Sequence, residues 1–257
     1  MKEKIWSALA DIESSTGLTR YLPNRRNAIL MYHSVGDPDG YGNVTVERFR
    51  SDIQYLICRY DIIDLPEVLS DTQKSKQVAL TFDDGLTDFF ENVLPILHEY
   101  NVPATVFVVA GELAGNNTNL NASNVMSQEQ VDKLVEDDLV TVGNHTWSHP
   151  KLSELKDYEN IEREIIMAKK SLEEQLSTNI DRFCYPSGDV SEEAREVVAS
   201  SHDIAVTTCP GLVTPRSDPY LLRRISAHYP VERVRWELTD TCEMLRRTSG
   251  FEFESSQ

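Results

Sequence analysis

Cysteine is scarce in this 257-residue chain, and the four present (Cys58, Cys184, Cys209 and Cys242) lie far apart with no C-x-x-C pair. That spacing argues against a disulfide framework or a zinc knuckle and suits thiols in a reducing compartment. Positive charge is scarce too: 25 Lys and Arg against 42 Asp and Glu leave a formal net charge of −17. A nucleic-acid backbone or an anionic membrane surface would be repelled by such a chain. No run approaches the roughly 18 consecutive apolar residues of a membrane span. The N-terminal stretch Met1–Glu13 is interrupted by Glu3 before it reaches signal-peptide character, so a cytoplasmic location is expected. With 40% apolar residues and ten tyrosines the chain is not disordered. What these absences leave is an acidic globular protein suited to a neutral or cationic substrate; no pattern specifies its oligomeric state.

Apolar, β-branched runs alternate with helix-period segments along most of the sequence. Strands are predicted at Ala28–Val35, Tyr60–Leu65, Val78–Phe82, Ala104–Ala110, Val140–Gly143, Asp181–Tyr185, Ile204–Thr208 and Leu221–Ala227. Several are continuously apolar, as strands covered on both faces are. Between them, Val46, Phe49, Ile53 and Leu56 stripe one helix, and Ile161, Ile165, Ala168, Leu172 and Leu176 another. A last helix carries Val231, Val234, Leu238, Cys242 and Leu245, and a short N-terminal one carries Ile5, Leu9 and Ile12. Ser127 with Gln130 forms a capping box, Ser191 caps Glu192–Ser200, and Pro95 bends a helix over Thr87–Tyr100. No Pro-, Gly- or Ser-rich linker divides this series, which predicts one α/β domain with a mostly parallel sheet, open or closed into a barrel. The expected division is an N-terminal helical extension (1–27), the α/β unit (28–229), and a C-terminal helix with a polar tail (230–257). Gly36–Asn43 and Gly111–Asn124 read as polar loops at the mouth of a site. Asn116–Thr118 and Asn121–Ser123 fit the glycosylation pattern, which matters only for a secreted chain.

Chemistry gathers where strands end, the place where parallel α/β folds build their sites. After VALTF comes Asp83-Asp84-Gly85, and after VTVG comes Asn144-His145-Thr146-Trp147-Ser148-His149. His145 and His149 are one helical turn apart. With Asp84 they make a facial set for one divalent cation, Zn2+ first, with Co2+, Ni2+ or Fe2+ as alternatives. Asp83 beside them would act as a general base, and Gly85 permits the tight turn.

The string TFDDG, followed some sixty residues later by NHTWSHP, resembles the first two motifs of the polysaccharide deacetylase family, the NodB-like carbohydrate esterases of family four. Asn27–Gly36 (NAILMYHSVG) resembles the start of members acting on poly-N-acetylglucosamine, and Asp181–Asp189 (DRFCYPSGD) is similar to the third motif. The resemblance spans about Asn27 to Ala227. It implies a distorted (β/α) barrel of about seven parallel strands and a metal-dependent hydrolase that removes acetyl groups from N-acetylhexosamine units of a glycan. By motif position it implies Asp83 as base, Asp84, His145 and His149 as metal ligands, and Tyr185-Pro186-Ser187-Gly188 lining the acetyl pocket. Two departures stand out. Cys184 occupies the place of an arginine that orients the base, with Arg182 two residues earlier and Arg224 on a neighbouring strand as candidate substitutes. The motif that supplies the general acid is represented only by His228, while His33 follows the first strand near the site. Two rival readings use the same residues: an O-acetyl polysaccharide esterase, and a glycan-binding barrel that has lost its acid and arginine. An intact Asp83 argues against the second.

Overall fold

The computed structural model describes residues 2–22, 26–70, 76–116, 118–120 and 124–249, with side chains from residue 8 to 247. Asn117 of the first glycosylation pattern, all of the second (Asn121–Ser123), the side chain of Ile5 and the tail from residue 250 lie outside the described residues. Eight parallel strands form where apolar runs predict them: β1 (Ala28–Tyr32), β2 (Asp61–Ile63), β3 (Gln77–Phe82), β4 (Ala104–Val108), β5 (Val140–Asn144), β6 (Arg182–Cys184), β7 (Ile204–Pro210) and β8 (Leu222–Ser226). Their order is β1-β8-β7-β6-β5-β4-β3-β2, and pairing of β1 with β3 closes seven of them into a barrel. The eighth, β2, pairs with Gln77–Ala79 of β3, while β4 pairs with Thr81 and Phe82. Thus β2 fills a wedge at the bottom of the barrel where β3 and β4 diverge. The β5–β6 seam is joined through a single register pair, Asn144 with Phe183, which gives the barrel its distortion.

Side chains alternate across the barrel wall as the period of two requires. Leu30, Tyr32, Leu80, Phe82, Val106 and Val108 pack outward under the helices. Ile29, Ala79, Phe107, Cys184, Val206 and Leu222 form a separate interior cluster. Below that apolar layer Arg182 donates to Thr105 Oγ1 (2.7 Å) and to both carboxylate oxygens of Asp64 (2.5 Å each). Above it lie Thr81 and Arg224, both fully buried. Gly143 is required here, because a Cβ would come within 2.5 Å of the Phe107 ring.

The helix Val46–Ile57 starts at Thr45, whose side chain accepts from Arg48 N (3.2 Å). The capping box at Ser127 and the Ser191 cap both form. Ahead of Pro95 the chain takes a π-helical turn, Phe89–Val93, and continues as the α-helix Leu94–Tyr100. A widened turn there suits a proline that supplies no N–H and crowds the preceding carbonyls. Two expectations need correction. The last helix is two, Val231–Glu237 and Asp240–Ser249, because the Thr239 hydroxyl accepts from Cys242 N (3.1 Å) and opens a new helix. Leu245 consequently is exposed. At the N-terminus, Lys2–Thr16 is helical, but Ile12 faces outward and Glu13 is buried, accepting from the backbone and hydroxyl of Thr19 (2.9 and 2.8 Å). Trp236 Nε1 donates to Leu9 O (2.8 Å), so the two ends of the chain pack together. Among the described residues no helix is long and apolar enough to cross a membrane.

Phe49 packs edge-on against Tyr32 and Phe82, with ring centroids 5.2 and 5.7 Å away. Phe49→Ala is expected to cost about 3–5 kcal/mol in chemical denaturation; a loss below about 1 kcal/mol would show that this aromatic layer does not hold the helix to the barrel.

Candidate metal centre and its cleft

Asp83 and Asp84 leave β3 in opposite directions because the chain turns sharply there. Asp84 has φ 72° and Gly85 φ 66°, two successive left-handed residues. A Cβ on Gly85 would stand 3.0 Å from the Val108 side chain, so glycine meets both a conformational and a steric need. Asp83, still paired through its N–H to Tyr32 O (3.0 Å), points into the barrel; Asp84 turns toward the loop after β5.

That loop is not the helical turn its spacing suggested. Thr146 and His149 adopt φ 70° and 58°, so His145 and His149 converge through a left-handed loop. Side chains shape it. Asn144 Oδ1 accepts from Thr146 N (2.9 Å), and Thr146 Oγ1 accepts from His149 N (3.0 Å). Glu164 takes the backbone N–H groups of Trp147 and Ser148 (3.1 and 2.8 Å) and the Ser148 hydroxyl (2.8 Å). Glu164 and Ile165 belong to a π-helical turn, Arg163–Met167, and the Ile165 carbonyl accepts from Asn144 Nδ2 (3.0 Å). Asn144 Nδ2 also meets Nε2 of buried His202 at 3.2 Å.

Asp84 Oδ1 lies 3.4 Å from His145 Nε2 and 3.5 Å from His149 Nε2. Two ligands on a tetrahedral zinc ion stand about 3.4 Å apart, so the separations fit a shared cation. The donor chemistry fits as well. His145 Nδ1 donates to Cys184 O (2.8 Å), which leaves Nε2 as the atom facing Asp84. Burial would lower this imidazole, yet Cys184 and Asp84 beside it push it well above the ordinary histidine value, so a cation bound there takes the place of the Nε2 proton. Burial, then the neighbouring His145, push the His149 imidazole down to about 4, leaving its nitrogen free to ligate at neutral pH. Asp83, His145 and Cys184 form a second close group, but there each Asp83 oxygen already accepts from a cationic guanidinium, which disfavours a metal ion beside it while leaving each oxygen a second lone pair.

That guanidinium belongs to Arg224. Its Nη1 and Nη2 donate to Asp83 Oδ1 and Oδ2 at 2.7 Å each. The remaining N–H groups go to Thr207 O (2.8 Å), Thr81 Oγ1 (3.1 Å) and Cys184 Sγ (3.3 Å). Burial would raise the Asp83 carboxyl, yet the adjoining guanidinium holds it well below the usual carboxylate range. Arg182, the other candidate for this position, is at the opposite end of the barrel with Asp64.

The site opens into a cleft of about 1230 Å³ walled by both predicted loops, including Asp37, Tyr41, Asn119 and Leu120. His33, a residue the sequence reading left unassigned, faces it with Nε2 3.8 Å from Asp83 Oδ2. Its position two residues beyond inward-facing Met31 was the available signal. His228 is set back: its Nδ1 lies 2.6 Å from Ser226 Oγ, and it does not line the cleft. Of the Tyr185–Gly188 stretch only Ser187 lines the cleft. Tyr185 is fully buried against Phe183, and Gly188 is pressed on Thr208.

Comparison with known proteins came to the same region. Residues 70–205 match the family model described as polysaccharide deacetylase. The poly-β-1,6-N-acetyl-D-glucosamine N-deacetylase of Staphylococcus epidermidis is 26% identical over 196 residues, covering 71% of this chain and 67% of the relative. The enzyme of the same name from Staphylococcus aureus (strain NCTC 8325) is 26% identical over 212 residues, covering 77% and 72%. In fold, the chain is similar to IcaB from Ammonifex degensii (TM-score 0.71, 20% identity, 84% of this chain and 97% of that one). It is also similar to the Streptococcus pyogenes deacetylase PplD in complex with acetate (TM-score 0.68, 24% identity, 79% and 93%).

Burial pushes His202 down to about 3. The unfolded chain, with histidine near 6.5, therefore binds a proton that the folded chain refuses between about pH 6.5 and 3, and stability falls as pH is lowered through that window. His202→Gln should flatten the slope by up to about 1.4 kcal/mol per pH unit; an unaltered slope would mean His202 is protonated in the folded state.

Proposed function

The chain belongs to the polysaccharide deacetylase family, and on that premise we propose that it hydrolyses the acetamide of N-acetylhexosamine units in a glycan, poly-N-acetylglucosamine being the favoured class. The observation that carries this reading is an ionised, arginine-locked carboxylate beside a three-residue metal set in one open cleft. The names of the staphylococcal relatives support the substrate class.

Asp84, His145 and His149 are the residues that would hold a divalent cation, zinc best matching two imidazoles and a carboxylate. Bound there, the ion would polarise the acetyl carbonyl and acidify water next to it. Asp83 is the base: it takes a proton from the attacking water as the new C–O bond forms. Arg224 acts through Asp83, fixing both its oxygens and keeping it ionised. When the C–N bond breaks, the departing nitrogen needs a proton, and His33 is the residue placed to give it, 3.8 Å from Asp83 and in the cleft wall. We assign this role to His33 in preference to the recessed His228. Acetate and a free amine, protonated in water, are the products.

The test is acetate and amine release from β-1,6-linked N-acetylglucosamine oligomers by zinc-loaded protein, with acetylated xylan alongside. Release of acetate from the oligomers with one amine per acetate supports the reading; release from xylan alone would make the protein an O-acetyl esterase. Asp83→Asn should lower kcat by about 10²–10⁴-fold while retaining bound zinc, whereas His149→Ala should lose zinc and activity together. Zinc lost from Asp83→Asn would make Asp83 a ligand and remove it as base. His33→Asn is expected to lower kcat more than His228→Asn does, and the reverse order would return the acid role to His228.

A further inference from the structure

The cleft in front of the metal centre is almost devoid of positive charge. Beyond Asp83 and Asp84 its walls carry Asp37, Asp39, Asp88, Glu91 and Glu154 against one lysine, Lys151. Asp88 is the unusual member. It is only 8% exposed, and its Oδ2 accepts from Ser34 Oγ (2.6 Å) and Val35 N (2.8 Å). Its Oδ1 is buried with no hydrogen-bond partner among the described residues. Burial pushes this carboxyl up and nearby Asp37 adds to the effect, the bonds from Ser34 and Val35 offsetting part of it. A carboxylate oxygen without a donor is costly in such a place, and because Oδ1 is itself out of solvent contact, a cationic N–H donor in the cleft relieves that cost once the carboxylate turns toward it. Asp88 follows Asp84 by four residues, which limits their separation to about 14 Å. Tyr41, 52% exposed with its ring edge-on to His33 (4.9 Å, 84°), offers a flat apolar face in the same cleft.

We propose that the cleft contains an ammonium-binding subsite built on Asp88, Asp37 and Glu91, and that the protein prefers glycan chains already carrying de-N-acetylated units beside the one being hydrolysed. The inference rests on the deacetylase reading above and extends it to the state of the polymer. Each turnover converts a neutral acetamide into an ammonium, so the chain grows more cationic as it is processed. A cleft of opposite sign raises the local concentration of such a chain, and salt weakens the effect over a screening length of about 10 Å at 0.1 M.

Calorimetric titration of zinc-loaded protein with two β-1,6-linked hexasaccharides, one of N-acetylglucosamine and one of glucosamine, tests it. The glucosamine hexamer is expected to bind at least about tenfold tighter at low salt, with that advantage shrinking several-fold on adding 0.3 M NaCl. Asp88→Asn and, at an exposed position, Glu91→Gln should each reduce the ratio of the two affinities. Neither change touches the metal ligands, so a ratio unmoved in both variants would assign amine binding to the cation and overturn the proposal, as would equal or weaker binding of the glucosamine hexamer. A preserved preference for amine in a protein that releases no acetate from either acetylated oligomer or xylan would sink the hydrolytic reading and leave the subsite standing.

Discussion

The Arg224 guanidinium places all five of its N–H groups inside the barrel, two of them on the oxygens of Asp83. Two adjacent carboxylates at the end of β3 would otherwise compete for one cation. The arginine removes Asp83 from that competition, and the left-handed turn at Asp84 carries the second carboxylate to the two imidazoles. Burying such a pair earns little net stability, and breaking it costs several kcal/mol because a lone buried charge remains. Arg224 is thus better understood as fixing which aspartate does what than as holding the barrel together.

The rest of the barrel interior accommodates that one side chain. Cys184 is small enough to leave room for the guanidinium and lends it a sulfur acceptor at 3.3 Å, while its carbonyl orients His145. Phe107, Leu222 and Val206 separate this upper charge pair from the lower one of Arg182 and Asp64. Outside the wall, Asn144, Glu164 and His202 hold the histidine loop in a conformation it would not adopt unaided. The site is therefore supported from within by an arginine and from behind by a π-helical turn.

Much of this was legible in the sequence. All eight strands were predicted to within a few residues, because long apolar runs covered on both faces admit few other structures. The Asp83-Asp84 and His145–His149 pairs were legible from their placement at strand ends. What failed depended on features a linear pattern does not carry. The spacing of His145 and His149 suggested a helical turn, but side-chain bonds from Asn144, Thr146 and Glu164 impose a left-handed loop. Arg182 and Arg224 both face the interior by strand parity, and only the strand register puts one at the bottom and the other beside Asp83. The Val231–Leu245 stripe looked continuous, yet a single hydroxyl at Thr239 was enough to divide it. His33 was visible but undecided, since its approach to Asp83 depends on the pairing of β1 with β3.

The central claim is that Asp84, His145 and His149 share a cation while Asp83 does not. Anomalous diffraction at the zinc edge from crystals grown with Zn2+ tests it most directly. The account predicts one strong peak about 2.0–2.2 Å from Asp84 Oδ1 and from Nε2 of both histidines, with Asp83 still paired to Arg224. A peak coordinated by Asp83 or by Cys184, or no peak in this cleft at saturating zinc, would contradict it.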